Sequence, residues 1–197
     1  MVSQFSFAQQ AEEFRNVKNY YNKYRAMLNN EFQKKFEAEK NDINKNAIRN
    51  DFVFFMKKMD SVENVALIAA LLKTKNIEDL KKINKVQIIS QNKEESLKAN
   101  DKEVDYPGGI NALRQEVANL FYTEGIYTEV KDIKTQVIFI VERDGTISNV
   151  KAEGDNFTFN RQAEIALYSI GGKFTPAVID GSPVRSRFRL PLSFKLE

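Results

Sequence analysis

Along the first forty residues Phe7, Phe14, Tyr21 and Leu28 recur every seven positions, with Ala11, Val17, Tyr24 and Phe32 beside them and polar residues between. Apolar side chains at that spacing line one face of a helix, so an amphipathic helix is expected over residues 8–40. The stripe reads as core-facing; the alternative is a dimerising coiled coil, whose seam Glu31 interrupts. Further on, Asp60 and Glu63 have the spacing of a capping box ahead of Val62, Val65, Ala66, Ile68, Ala69, Leu71 and Leu72. That pattern predicts a short helix, apolar nearly all round and therefore buried. Asn76 with Asp79 predicts the cap of a following helix that carries Leu80 and Ile83.

From residue 106 the grain changes. Tyr106-Pro107-Gly108-Gly109 is a turn, followed by Ile110, Leu113, Val117, Leu120 and Phe121 at helical spacing. Residues 135–142 are β-branched and aromatic, and five consecutive apolar positions predict a strand paired on both sides and covered on both faces. Arg143-Asp144-Gly145-Thr146 predicts a two-residue hairpin turn with positive φ at both central positions, returning as a strand over Ile147–Glu153. Asn156 to Ile170 predicts a second helix, stopped by Gly171-Gly172 in a left-handed cap. After a turn at Asp180-Gly181, Val184, Ser186, Phe188, Leu190, Leu192, Phe194 and Leu196 alternate with Arg185, Arg187, Arg189, Pro191, Ser193 and Lys195. Such alternation describes one strand with a core face and a wet face. Pro191 cannot donate to a ladder, which places that strand at a sheet edge or at a bulge.

All four prolines and all eight glycines lie at or after Pro107. A hundred residues without helix breakers predict an all-helical module over 1–103, and the polar run 98–105 reads as a linker. Residues 104–197 then form an α-β-β-α-β domain, giving an α+β fold class. The simplest topology is a three-stranded antiparallel sheet with Val137–Val141 in the middle, both helices on one face, and an edge strand left open.

Composition narrows the chemistry. At 42% hydrophobic residues the chain is too apolar for disorder, and no stretch approaches the ~18 consecutive apolar residues of a membrane span. Histidine, cysteine and tryptophan are absent, so Ser-His-Asp and Cys-His nucleophiles, His or Cys zinc sites and iron-sulfur clusters are excluded. Carboxylate chemistry survives. Asp101, Glu103 and Asp105 are the nearest approach to an acidic cluster, but alternating acids in a linker read as solvated rather than catalytic. Neither glycine pair has the Lys-Ser/Thr continuation of a phosphate loop. No enzyme activity, cofactor or metal is expected. Residues 1–100 hold 18 Lys and Arg against 13 Asp and Glu, and 101–197 hold 12 against 14, too little basic excess for a nucleic-acid partner. Ser6 and Ala8 sit like the −3 and −1 positions of a leader cleavage site, so residues 1–8 resemble the end of a signal peptide and export is expected.

Several short motifs after residue 106 occur in a familiar order. They are Tyr106-Pro107-Gly108-Gly109 with Ala112-Leu113 and Asn119-Leu120, then Val137–Val141 running into Asp144-Gly145-Thr146-Ile147, and Ala163 in the second helix. Phe174-Thr175-Pro176, Gly181-Ser182-Pro183-Val184 and Arg189-Leu190-Pro191-Leu192-Ser193-Phe194 follow. Over about residues 106–196 the chain resembles the carboxy-terminal domain of the TonB energy-transducer family, in its Bacteroidetes form. The chain departs from that family at Thr123, at Lys134-Thr135 and at Phe174, and within these 197 residues there is neither a membrane anchor nor a proline-rich spacer. The resemblance implies a periplasmic domain whose last strand pairs with an extended peptide of an outer-membrane transporter. Val184, Arg185, Ser186, Arg187, Phe188, Arg189 and Leu190 would then bind the peptide, main chain giving affinity and the arginine row selecting acidic partners. Edge protection is the competing reading of that row. The competing reading of the whole chain is a structural or scaffold protein, in which the TonB-like domain self-associates, as in a homodimer, or packs on its own helical module.

Overall fold

The computed structural model describes residues 5–84 and 102–195. Residues 1–4, most of the expected linker 98–105 (98–101, with Asp101) and Leu196 lie outside that range, as do the side chains of Ser6, Phe7, Ala8 and Ile83. Helix α1 (Phe5–Ala38) and helix α2 (Asp42–Asn84) are joined by a turn of three residues, where Asn41 Oδ1 accepts the amide of Ile43 at 2.8 Å. They run antiparallel: Glu13 pairs with Lys73 at 2.8 Å, and the rings of Phe32 and Phe52 stand 5.2 Å apart.

Helix α2 runs unbroken through both expected caps, at Asp60 with Glu63 and at Asn76 with Asp79. With no glycine or proline between 42 and 84, nothing stops it. Asp60 and Glu63 instead reach across to α1, where Arg25 binds both and Lys18 lies 3.3 Å from Glu63. The apolar run that follows is only half buried. Leu67, Ala70 and Leu71 face inward, whereas Val62, Val65, Ile68 and Leu72 are 50, 63, 38 and 58% exposed, and Leu80 is exposed as well.

The remainder is α+β, as the patterns predict. Helix α3 (Gly109–Asn119) precedes strands β1 (Asp132–Val141) and β2 (Ile147–Glu153), helix α4 (Phe157–Tyr168), a hairpin of β3 (Ala177–Ile179) and β4 (Ser182–Val184), and β5 (Ser186–Lys195). The main sheet has the antiparallel order β2-β1-β5, with β1 central. Val137, Phe139, Val141 and Leu190 are fully buried in a core that also takes Leu113 and Val117 of α3 and Ala163, Ile165, Ala166 and Leu167 of α4. Asn156 caps α4 by accepting the Phe159 amide at 2.8 Å.

Four local expectations are corrected. Between β1 and β2 the Glu142 amide donates to the Thr146 carbonyl at 2.8 Å and encloses a three-residue loop, 143–145, in which only Gly145 has positive φ, with Asp144 accepting from the Thr146 amide and hydroxyl at 3.0 and 2.6 Å. The two-residue turn with positive φ at both positions occurs instead at Asp180 and Gly181, with φ 49° and 77°. Helix α4 ends at Ser169 in the right-handed region, leaving Gly172 to make room for the Tyr106 ring. The single strand expected from Val184 onward is two strands, because Val184 pairs with Ala177 while Ser186 starts the ladder with β1.

Backbone pairing fixes the end of the linker, and a ring stack sets helix α1 on the second half. The end of the expected linker is paired: Lys102 exchanges two backbone hydrogen bonds with Val178 at 2.9 Å, and Asp105 does so with Thr175 at 3.1 and 2.8 Å. The Phe14 ring of α1 stacks on Tyr168 of α4 with centroids 5.1 Å apart. On the outer face of β1, Ile138 and Ile140 are half-buried rather than covered by another layer. Their shielding comes from cross-strand neighbours, Lys151 and Arg189 beside Ile138, Ser148 and Arg187 beside Ile140.

Candidate functional site

A three-stranded sheet has two outer edges, and the chain treats them differently. At the β2 edge Asn149 sits at φ 51° and the register with β1 shifts between Ile138 and Ile140, so the strand is bulged there. Its main-chain groups are then taken up by side chains. Glu78 of α2, 3% exposed, accepts the Asn149 amide at 2.7 Å and the Tyr168 hydroxyl at 2.6 Å. The Val150 amide donates to the Tyr168 hydroxyl at 3.2 Å, and Lys75 of α2 donates to the Val150 carbonyl. Glu164 of α4 accepts the Ala152 amide at 2.9 Å and is itself held by Lys75 at 3.3 Å and Arg161 at 2.7 Å. Burial above all, and then the charge of Glu78, push the Tyr168 hydroxyl well above the ordinary tyrosine range, so it stays a neutral donor. These residues close the edge.

The β5 edge carries no such cover among the described residues. β5 pairs with β1 over its whole length, Ser186 opposite Val141 to Lys195 opposite Asp132, and among the described residues no second strand lies beyond it. Alternation along β5 is as the sequence predicts, with Leu190 buried, Phe188, Leu192 and Phe194 half-buried, and Arg187, Arg189, Pro191, Ser193 and Lys195 exposed. Beside the second half of β5 runs a groove of about 640 Å³ bounded by α3, with Ala118, Phe121, Phe159, Leu192 and Phe194 among its lining residues and Arg114 on its rim. Phe159 stands 5.4 Å from Phe121 and 6.0 Å from Phe194, which makes the groove floor aromatic.

The seven residues singled out in the sequence fall into three groups. Val184 belongs to β4 and is opposite Ala177, away from the open ladder. Arg185 lies between the strands and grips buried Glu142 with two contacts, Nε to Oε2 at 2.6 Å and Nη2 to Oε1 at 2.8 Å. Ser148 donates to the same carboxylate at 2.6 Å. Arg185 therefore fastens the start of β5 and is not a free cation. Ser186, Arg187, Phe188, Arg189 and Leu190 lie on the open strand, and Arg187 and Arg189 have no ion pair among the described residues. On the same outer face Lys151 donates to Glu153 at 2.7 Å and holds that carboxylate below its usual range.

Sequence reading did not find the β2 cap or the groove. A usable signal was present: Leu67, Leu71, Thr74 and Glu78 continue the inward stripe of α2, and a carboxylate on an apolar stripe asks for a buried donor. Among the described residues no cluster of three or more acidic side chains is placed to hold a metal ion, and no helix is long and apolar enough to cross a membrane. Glu103 and Asp105 are both exposed on the paired segment beside β3. Comparison with protein-family models, curated protein sequences and solved structures found no match.

Proposed function

We propose that the chain is a non-enzymatic, exported, periplasmic protein-interaction module, TonB-like in its second half, that captures an extended peptide of an outer-membrane transporter by strand addition to β5. The observation that carries this reading is the contrast between the two edges: β2 is sealed by Glu78, Lys75, Glu164 and Tyr168, whereas β5, ten residues long and paired with β1 on one side, leaves the main-chain groups of its other side without a strand partner among the described residues. An added strand gains main-chain hydrogen bonds all along it, and its alternate side chains fall on the Arg187–Arg189 face and toward the aromatic groove. Acidic residues on the first side and apolar ones on the second are the complementary partner. The fit between this edge and the resemblance of residues 106–196 supports the assignment of partner and compartment.

The test is a titration of the isotopically labelled full chain with a synthetic peptide copying the extended periplasmic segment of an outer-membrane transporter. Shifts confined to 186–195 and to α3 are expected, and the double substitution Arg187→Glu and Arg189→Glu weakens binding of an acidic peptide about tenfold. Absence of shifts along β5 at millimolar peptide overturns the proposal. A second reading, a scaffold whose TonB-like domain serves to pack on its helical module, is favoured by the Phe14–Tyr168 stack and the Glu78 hydrogen bonds. Under that reading the peptide leaves β5 unperturbed.

A further inference from the structure

Helix α2 is apolar on two opposite faces. Leu67, Ala70 and Leu71 point into the molecule, and Val62, Val65, Ile68 and Leu72 point away from it. A helix apolar all round is normally a buried helix. Tyr127 and Phe157, 76% and 67% exposed, line one shallow groove with Val65, Ile68 and Leu72 and widen the apolar surface. α1 and α4 contact other sides of α2, through Arg25 with Asp60 and Glu63 and through Lys75 with Glu164, and residues 122–125 border one margin of this face beside Ser61 and Asn64, with Glu124 3.8 Å from Lys57, which leaves Val65, Ile68, Ala69 and Leu72 exposed.

The order of residues on that outward face identifies its occupant. Toward the N-terminus from the midpoint between positions 68 and 69 come Ile68, Val65, Ser61 and Lys58; toward the C-terminus come Ala69, Leu72, Asn76 and Asp79. The two series have the same spacing, alternating three and four residues, which is the spacing of a helix–helix seam. Turned end for end about the midpoint, Ile68 meets Ala69, Val65 meets Leu72, Ser61 meets Asn76 and Lys58 meets Asp79. Lys58 and Asp79 each lie ~16 Å along the helix from that midpoint.

We infer that this face binds a second copy of the chain, α2 against α2 and antiparallel, about a two-fold axis between Ile68 and Ala69. A two-fold axis makes every contact twice, so the apolar centre is flanked at both ends by a Lys58–Asp79 pair. A parallel pair would set Lys58 on Lys58 and Asp79 on Asp79. The present partners of these charges are weak and exchangeable: Lys58 stands 5.4 Å from the Phe54 ring centre, and Asp79 meets Lys82 at 3.0 Å with both side chains about two-thirds exposed. This pairing is independent of the β5 edge.

The experiment is a dilution series of the full chain followed by light scattering or sedimentation. A species of twice the monomer mass is expected. Val65→Asp with Leu72→Asp, both at exposed positions, leaves the circular dichroism unchanged and weakens dimerisation more than ~100-fold. Lys58→Glu alone and Asp79→Lys alone each weaken it about tenfold, and the two together restore it to within about threefold of the parent. A chain that stays monomeric throughout the series overturns the inference, including one that instead binds a different protein through this face. So does a dimer indifferent to Val65→Asp and Leu72→Asp, or one in which the charge exchange gives no rescue.

Discussion

Tyr168 is where burial, aromatic stacking and hydrogen bonding meet. Its ring lies on Phe14, its hydroxyl donates to Glu78 and accepts from Val150, and all three groups are buried or nearly so. Tyr168→Phe keeps the stack and leaves Glu78 and the Val150 amide each short of a partner, so a loss of about 2 kcal/mol is expected by urea denaturation. The sign of the pH effect follows from the raised hydroxyl pKa. The neutral form is the one the fold favours, so its contribution is complete below the ordinary tyrosine value near 10 and declines as the pH rises beyond it. Tyr168→Phe is expected to show less loss of stability than the parent between pH 9 and pH ~11. Gly145 is a residue where a side chain meets both backbone and strain. At φ 77° it closes the β1–β2 loop, and a Cβ there would overlap the Phe174 carbonyl oxygen. Gly145→Ala is expected to cost more than ~2 kcal/mol, by steric overlap and by backbone strain together, in the same denaturation assay.

Strand β2 is the element on which the asymmetry of the sheet depends. Glu78→Ala removes the acceptor for the Asn149 amide, and in hydrogen exchange that amide is expected to exchange at least ~10-fold faster while the β1 amides facing β5 stay protected. Equal acceleration in β1 would mean that the substitution loosens the whole sheet and that Glu78 does not act locally. Elements were legible in the sequence to unequal degrees, for physical reasons. Strands β1, β2 and β5 and the helix after Asn156 could be read because alternation, β-branching and apolar spacing are local signals. The break expected at Asp60 was wrong because Asp and Glu three residues apart on a helix serve equally well as a cap or as a double receptor for an arginine, and Arg25, 35 residues away, decided between them. The left-handed end expected at Gly171-Gly172 was likewise displaced by a packing demand, the ring of Tyr106. Glu78 finding Asn149 and Tyr168, across separations of 71 and 90 residues, is a tertiary fact that no local window contains. At the candidate site, the open strand and its alternation were legible, whereas the use of Arg185 as a clasp on Glu142 was not.

At the scale of the molecule, the helical half gains a role from where it touches the second half. Its described residues leave β5 and the Ile138–Ile140 face free and lie along α4 and β2, with α2 supplying two of the side chains that occupy the β2 main chain. That arrangement governs stoichiometry. Were both margins of a small sheet to accept strands, each new arrival would present a fresh margin to the next, and nothing in the geometry would halt the series short of a fibre. With one margin stoppered from within by its own carboxylates and lysine, the sheet keeps one open margin among the described residues. Sheets of that kind can join edge to edge only in pairs, so the fold forecloses open-ended stacking of one copy on the next.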